Sequence, residues 1–149
     1  MATVRSFEEL DAWKEARKLA QIVYAVTKTA GFARDGDLRG QMRRAAVSVV
    51  SNIAEGFDRG GRVEFVNFLS IAKGSTGEIQ GQCYVALDQQ YLSQEQFQTV
   101  QSQAQVVKRL IAGLMRYLQG SGIKGEKYRK PVPVTAFSAR ADANLKPET

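Results

Sequence analysis

No proline occurs between Met1 and Lys130; all three prolines of the chain stand at Pro131, Pro133 and Pro147. Inside a helix, proline removes a backbone donor and clashes with the preceding turn, at about 3 kcal/mol. A proline-free stretch this long is therefore open to long uninterrupted helices. Strand-like alternation rich in β-branched residues is not sustained over any useful length. The chain reads as all-α, with one domain in its 149 residues.

Apolar periodicity and punctuation divide it into four helices. The first starts at Ser6, with Glu9 three residues on as a capping box, and runs to about Thr29. Its inward stripe is Leu10, Trp13, Ala16, Ala20, Val23, Tyr24 and Thr27. Gly31 to Gly36 reads as a turn. The second helix begins near Asp37 and ends at Gly56, read as a C-cap glycine. The third follows Gly60-Gly61 and runs to about Gln89, turning Phe65, Phe68, Leu69, Ala72, Ile79, Cys83, Ala86 and Leu87 inward. The fourth is capped by Ser93 with Gln96 and carries Phe97, Val100, Ala104, Val107, Ile111, Leu114 and Leu118 to Gly120 and Gly122. At 1.5 Å per residue these helices would be roughly 30 to 43 Å long. Joined by short turns, they should pack as an antiparallel up-down four-helix bundle over residues 1–119. Residues 120–149 lack a period, and Lys-Pro-Val-Pro-Val favours extended backbone; this part reads as a basic, disordered tail.

The bundle carries more apolar surface than a monomer needs. On the second helix, the residues from Leu38 to Phe57 spread their apolar side over roughly 200°, against a stripe of about 100° for a simple surface helix. Gly74, Gly77 and Gly81 share a face of the third helix away from its core stripe. Each costs about 1 kcal/mol against alanine, a cost tolerated where another backbone approaches closely. These glycines are read as an oligomer interface.

Composition removes whole classes of chemistry. Histidine is absent and Cys83 is the only cysteine. The usual general base, the nucleophile systems built on histidine, a zinc site and an intrachain disulfide all fall away. The 15 acidic residues are scattered, so no metal or cofactor is expected, and no catalytic residue is assigned. No apolar run reaches the roughly 18 residues of a membrane span, and Met1 to Ser6 lacks the pattern of a signal peptide; a cytoplasmic location is expected. The net charge is +6. Residues from Gly120 onward hold six basic against three acidic side chains and the rest fifteen against twelve, so each part contributes +3. That balance favours anionic partners.

The run Gln41-Met42-Arg43-Arg44-Ala45-Ala46-Val47-Ser48, followed by Ser51-Asn52-Ile53-Ala54-Glu55-Gly56, resembles a known bacterial family. These are four-helix-bundle proteins encoded by intervening sequences within large-subunit ribosomal RNA genes, related to the accessory variability proteins of diversity-generating retroelements. Phe65-x-x-Phe68-Leu69-x-Ile71-Ala72-x-Gly74-Ser75-x-x-Glu78 and Phe7-x-x-Leu10-x-x-Trp13-x-x-Ala16 extend the resemblance over about residues 6 to 118. Departures are Ala33 after Phe32, Asp37 before Leu38, and Cys83 where leucine is common. The resemblance implies a cylindrical homopentamer. In the retroelement proteins it also implies binding to nucleic acid and to a reverse transcriptase; a reverse transcriptase partner is not inferable for this chain.

Within the motif, Arg43, Arg44, Asn52, Glu55 and Glu78 read as a structural polar network, with the glutamates neutralising arginines across helices. For phosphate contact the candidates are Arg59 and Arg62 beside the glycine turn, Lys108, Arg109 and Arg116 on the last helix, and Lys124, Lys127, Arg129 and Lys130 in the tail. No sequence-reading module is present. Two functions follow: a non-enzymatic oligomer binding RNA or DNA through its charge, without sequence specificity, or an oligomeric protein–protein scaffold.

Overall fold

A computed structural model describes residues 3–120 and the backbone of Val132–Pro133. Four long helices dominate: α1 (Asp11–Val26), α3 (Gly36–Asp58), α4 (Arg62–Asp88) and α5 (Gln94–Gln119), with a five-residue α2 (Ala30–Arg34) between the first two. Each long helix packs against two others, in the closed order α1, α3, α4, α5. Short connections force neighbours in sequence to run antiparallel, and one continuous apolar core fills the bundle. The seven residues expected inside the last helix, from Phe97 to Leu118, are all buried.

Three expectations are corrected. The first helix does not start at Ser6. Phe7–Glu9 form a 3-10 turn, Leu10 is extended (ψ 128°), and the α-helix begins only at Asp11. Glu9 still reaches back, but its carboxylate accepts the N–H groups of Arg5 and Ser6 at 2.6 and 3.4 Å and so closes this turn. Those backbone donors, that of Arg5 first, hold the Glu9 carboxyl below its usual range. At the other end α1 stops at Val26, and Gly31–Arg34 lie in α2, not in an open turn. Phe32 anchors that short helix by packing on Tyr91, whose hydroxyl donates to Asp35 at 3.1 Å; Asp35 in turn caps α3 through the Leu38 N–H.

The third correction concerns Gly56, which lies inside α3 and is buried. A Cβ there would stand 2.7 Å from Phe68 Cβ and 3.0 Å from Phe65 Cδ1. Close approach of α4, not chain reversal, requires this glycine. The reversal falls to Gly60, whose φ of 76° is left-handed. The α4 helix closes differently. Tyr91 N–H bonds the Ala86 carbonyl and Gln90 N–H the Leu87 carbonyl, with Gln90 at φ 63°. This is a Schellman closure in which glutamine occupies the position that favours glycine.

The chain also folds back on itself in a way its sequence does not announce. Val132–Pro133 pair antiparallel with Thr3–Val4, in the register Thr3 to Pro133 and Val4 to Val132. The other tail residues lie outside those described.

Two substitutions test these backbone assignments by chemical denaturation. Gly56→Ala is expected to destabilise by about 1–3 kcal/mol, the usual penalty for forcing volume into a packed contact. Gln90→Gly is expected to stabilise by up to about 1 kcal/mol, because a left-handed φ costs an L-residue roughly that much.

Candidate functional site

The motif residues converge on a polar groove of about 250 Å³ between α3 and α4, lined by Gln41, Arg44, Ala45, Ser48, Ser75, Glu78 and Gln82. Its floor is a hydroxyl pair, Ser48 Oγ to Ser75 Oγ at 2.8 Å. Asn52 holds that pair in place: its Nδ2 donates to the Ser48 carbonyl at 2.8 Å and to Ser48 Oγ at 3.0 Å. Helical spacing explains the convergence, since Gln41, Ser48 and Asn52 share the edge of α3 facing α4, and Ser75, Glu78 and Gln82 recur at three and four residues on α4. Gln82 Oε1 is buried there without a hydrogen-bond partner.

The predicted cross-helix neutralisation is not the arrangement found. Glu55 pairs with Arg59 at 2.8 Å along its own exposed helix face, and this bond is the first cause raising the already high Arg59 pKa. Arg43 donates to Thr27 Oγ1 at 2.9 Å and stacks over the Tyr24 ring at 4.6 Å. Neither Arg44 nor Glu78 stands in an ion pair among the described residues. Ser75 turns its hydroxyl to Ser48 across the groove and not back to its own helix. Thr27 and Thr76, both fully buried, bond the carbonyls of Val23 and Ala72.

The basic candidates separate into distinct places. Arg59 and Arg62 flank the α3–α4 turn. Tyr84 meets Phe97 edge-on at 5.0 Å, while Gln80, earlier on α4, bonds Gln101 and Lys108, later on α5. This antiparallel register brings Arg116 and the end of α5 to the same end of the bundle as Arg59 and Arg62. Lys108 lies mid-height, its Nζ donating to Gln80 Oε1 at 2.9 Å. Half-buried Arg109 and exposed Arg116 share the outer face of α5. Lys124, Lys127, Arg129 and Lys130 lie outside the described residues. Arg34 and Arg39 went unremarked in the sequence; they lie at the opposite end, on α2 and the first turn of α3, with Arg44 further along α3. None of these three stands in an ion pair among the described residues. The available signal was four arginines between Arg34 and Arg44.

Two apolar surfaces remain open. Ala20, Tyr24, Val47 and Val50, rimmed by Arg17 and Gln21, line a groove of about 310 Å³ between α1 and α3, with Val47 46% exposed. On α4 a Cβ at Gly74 or Gly81 would meet nothing within 4 Å, and at Gly77 only Lys108 Nζ at 3.9 Å. Val63, Ile71 and Val85 are exposed beside this glycine stripe.

Among the described residues no group of three His, Cys, Asp or Glu could hold a metal ion, and no helix is long and apolar enough to cross a membrane. Cys83 is buried in the core, and burial pushes its thiol up to about 12.

The fold is thus an all-α protein of four long packed helices with a polar seam between the second and third. Residues 8–113 match the 23S rRNA-intervening sequence protein family, and the chain belongs to that family. A protein of unknown function from the S23 ribosomal protein family of Bacteroides thetaiotaomicron has a similar crystal structure, with a TM-score of 0.65 at 19% identity. The match covers 70% of this chain and 98% of that one; a likeness at this identity shows the fold alone. No functionally curated protein matches the chain.

Because the nucleophile is the thiolate, the raised Cys83 pKa lowers the reactive fraction at pH 8 roughly a thousandfold relative to a thiol at the ordinary 9.0. Absorbance titration with a disulfide reagent should show Cys83 unreactive in the native protein and fully reactive in denaturant. Rapid native labelling would contradict the buried position.

Proposed function

We propose that this chain is a non-enzymatic, self-associating helical bundle that binds RNA or DNA through its basic surface. The observation that carries the reading is that Arg34, Arg39 and Arg44, on α2 and the first half of α3, stand in no ion pair among the described residues. Guanidinium groups left in this state suit phosphate oxygens. Arg109 and Arg116 supply a second patch, and Arg59, Arg62 and Lys108 are further candidates. Lys124, Lys127, Arg129 and Lys130 add charge in the tail sequence. The family's name refers to 23S rRNA intervening sequences, so ribosomal RNA is the first probe.

Self-association is supported by the open glycine stripe on α4 and the groove between α1 and α3. These lie on different sides of the chain, and contact between unlike faces builds a ring where the rotation closes. A homopentamer, as the family resemblance implies, would repeat the arginine patches and raise avidity for a polyanion. An intracellular location accompanies such a partner. The same open apolar faces favour a second reading, a scaffold for another protein.

Fluorescence anisotropy with labelled ribosomal RNA and duplex DNA at 50 and 200 mM salt tests the charge-based reading. Micromolar or tighter binding is expected, weakening at least tenfold over that range. Replacing Arg34 and Arg39 with glutamine should reduce the salt slope by about 1.5, since each lost phosphate contact removes roughly 0.7 to 0.9. The same change at Arg109 and Arg116 ranks the second patch. Absence of binding at 50 mM would leave the scaffold. For self-association, Gly74→Ala should stabilise the isolated helix by about 1 kcal/mol yet lower the subunit number seen by light scattering. An unchanged subunit number would remove the stripe from the interface.

A further inference from the structure

The polar groove between α3 and α4 has chemistry that phosphate binding does not use. Gln82 Oε1 is a buried acceptor without a partner. Between Ser48 and Ser75 only one hydroxyl proton can occupy the 2.8 Å contact, and Ser48 Oγ already accepts from Asn52. One hydroxyl proton of the pair is therefore left without an acceptor among the described residues. At the rim stand a guanidinium, Arg44, and a carboxylate, Glu78, neither in an ion pair among the described residues. Native interiors rarely leave buried polar groups unused, and this groove offers unused donors and acceptors together.

That combination defines the ligand by exclusion. A phosphate would meet the Glu78 carboxylate and the Gln82 carbonyl. A metal ion would meet Arg44, with a single carboxylate to hold it. The groove is formally neutral, and it suits a neutral ligand with a donor edge and an acceptor edge side by side. Guanine has this form. Its N1–H and N2–H₂ are adjacent donors for a carboxylate, and its O6 and N7 are adjacent acceptors for a bidentate guanidinium. Adenine, cytosine and uracil alternate or invert these groups, so none engages both charged side chains in this way. A paired guanine has its N1 and N2 donors occupied, whereas bases of single-stranded RNA are open to recognition on both edges.

We infer that the groove between α3 and α4 binds one unpaired guanine of an RNA strand, with Glu78 accepting from N1 and N2 and Arg44 donating to O6 and N7. The inference rests on the nucleic-acid reading above and adds a one-base preference to binding otherwise set by charge. Ser48, Ser75 and Gln82 form the floor that completes the base's hydrogen bonds.

The test uses the full chain and four labelled uridine-rich RNA 12-mers that differ only in the central base, with a fully paired duplex containing the same guanine. Anisotropy at 150 mM salt should show the central-guanine strand binding about tenfold more tightly than the other three, the discrimination typical of a good bidentate base contact. The duplex should show no such gain. Arg44→Lys and Glu78→Gln should each bring the guanine strand to the affinity of the uridine strand, with helical content and subunit number unchanged by circular dichroism and light scattering. Equal affinity for all four strands, still salt-sensitive, would overturn the guanine site and leave the charge-based reading standing. No binding to any strand at 50 mM would overturn both. Loss of subunits in either variant would make the groove a contact between copies and overturn the inference as well.

Discussion

Everything in the seam between α3 and α4 depends on a missing methyl group at Gly56. With only hydrogen there, α4 brings the Cβ of Phe68 and the ring of Phe65 against the α3 backbone. The two helices then stay close enough along their length for Ser48 to reach Ser75, some two turns further up. Phe57 and Phe65 stack edge-on at 5.9 Å beside the glycine and lock the lower end of the contact. A side chain at Gly56 would wedge the helices apart at one end, and a short hydroxyl pair is the kind of contact that cannot follow such a movement. Packing at the turn thus sets polar geometry in the middle of the bundle.

The polar bonds at the seams divide the helices by chemistry. Between α4 and α5 the bonds come from glutamine and lysine: Gln80 donates to Gln105, and its own carbonyl groups receive Gln101 and Lys108. Between α1 and α5, Gln103 donates to both the backbone and the carboxylate of Glu15. Burial raises the Glu15 carboxyl, but the bonds from Gln103 and Lys18 outweigh it, and its pKa ends below the usual value. Those seams are largely self-satisfied. The α3–α4 seam, by contrast, retains the unpartnered carbonyl of Gln82, which is why recognition is placed there and not along α5.

Helix periodicity was legible because burial on a regular cylinder repeats at fixed spacing. The stripe from Phe97 to Leu118 could be read residue by residue, and the Ser93–Gln96 box sits where its pattern puts it, with bonds of 2.9 and 3.1 Å in both directions. Local signals failed where tertiary contacts chose between two local outcomes. Ser6 and Glu9 satisfy a capping pattern, yet the chain closes a 3-10 turn first because Leu10 takes an extended conformation and enters the core. Gly56 looked like a terminator because nothing local distinguishes a glycine that ends a helix from one that admits a neighbouring helix. The groove was only half visible. Its residue types stood out in the motif, but the partners of Arg43 and Ser75 depend on which helix faces which, and that is a property of the packed bundle.

The two-residue ladder between Thr3–Val4 and Val132–Pro133 makes the pairing of one end of the described chain depend on residues far away in sequence. A two-stranded pairing this short is marginal on its own. Val4 is nevertheless 3% exposed and packs in the core, so its place rests on apolar contact as well as on the ladder. A proteolytic cut before Val132 would therefore take a partner strand from Thr3 and Val4 while leaving the four-helix core closed.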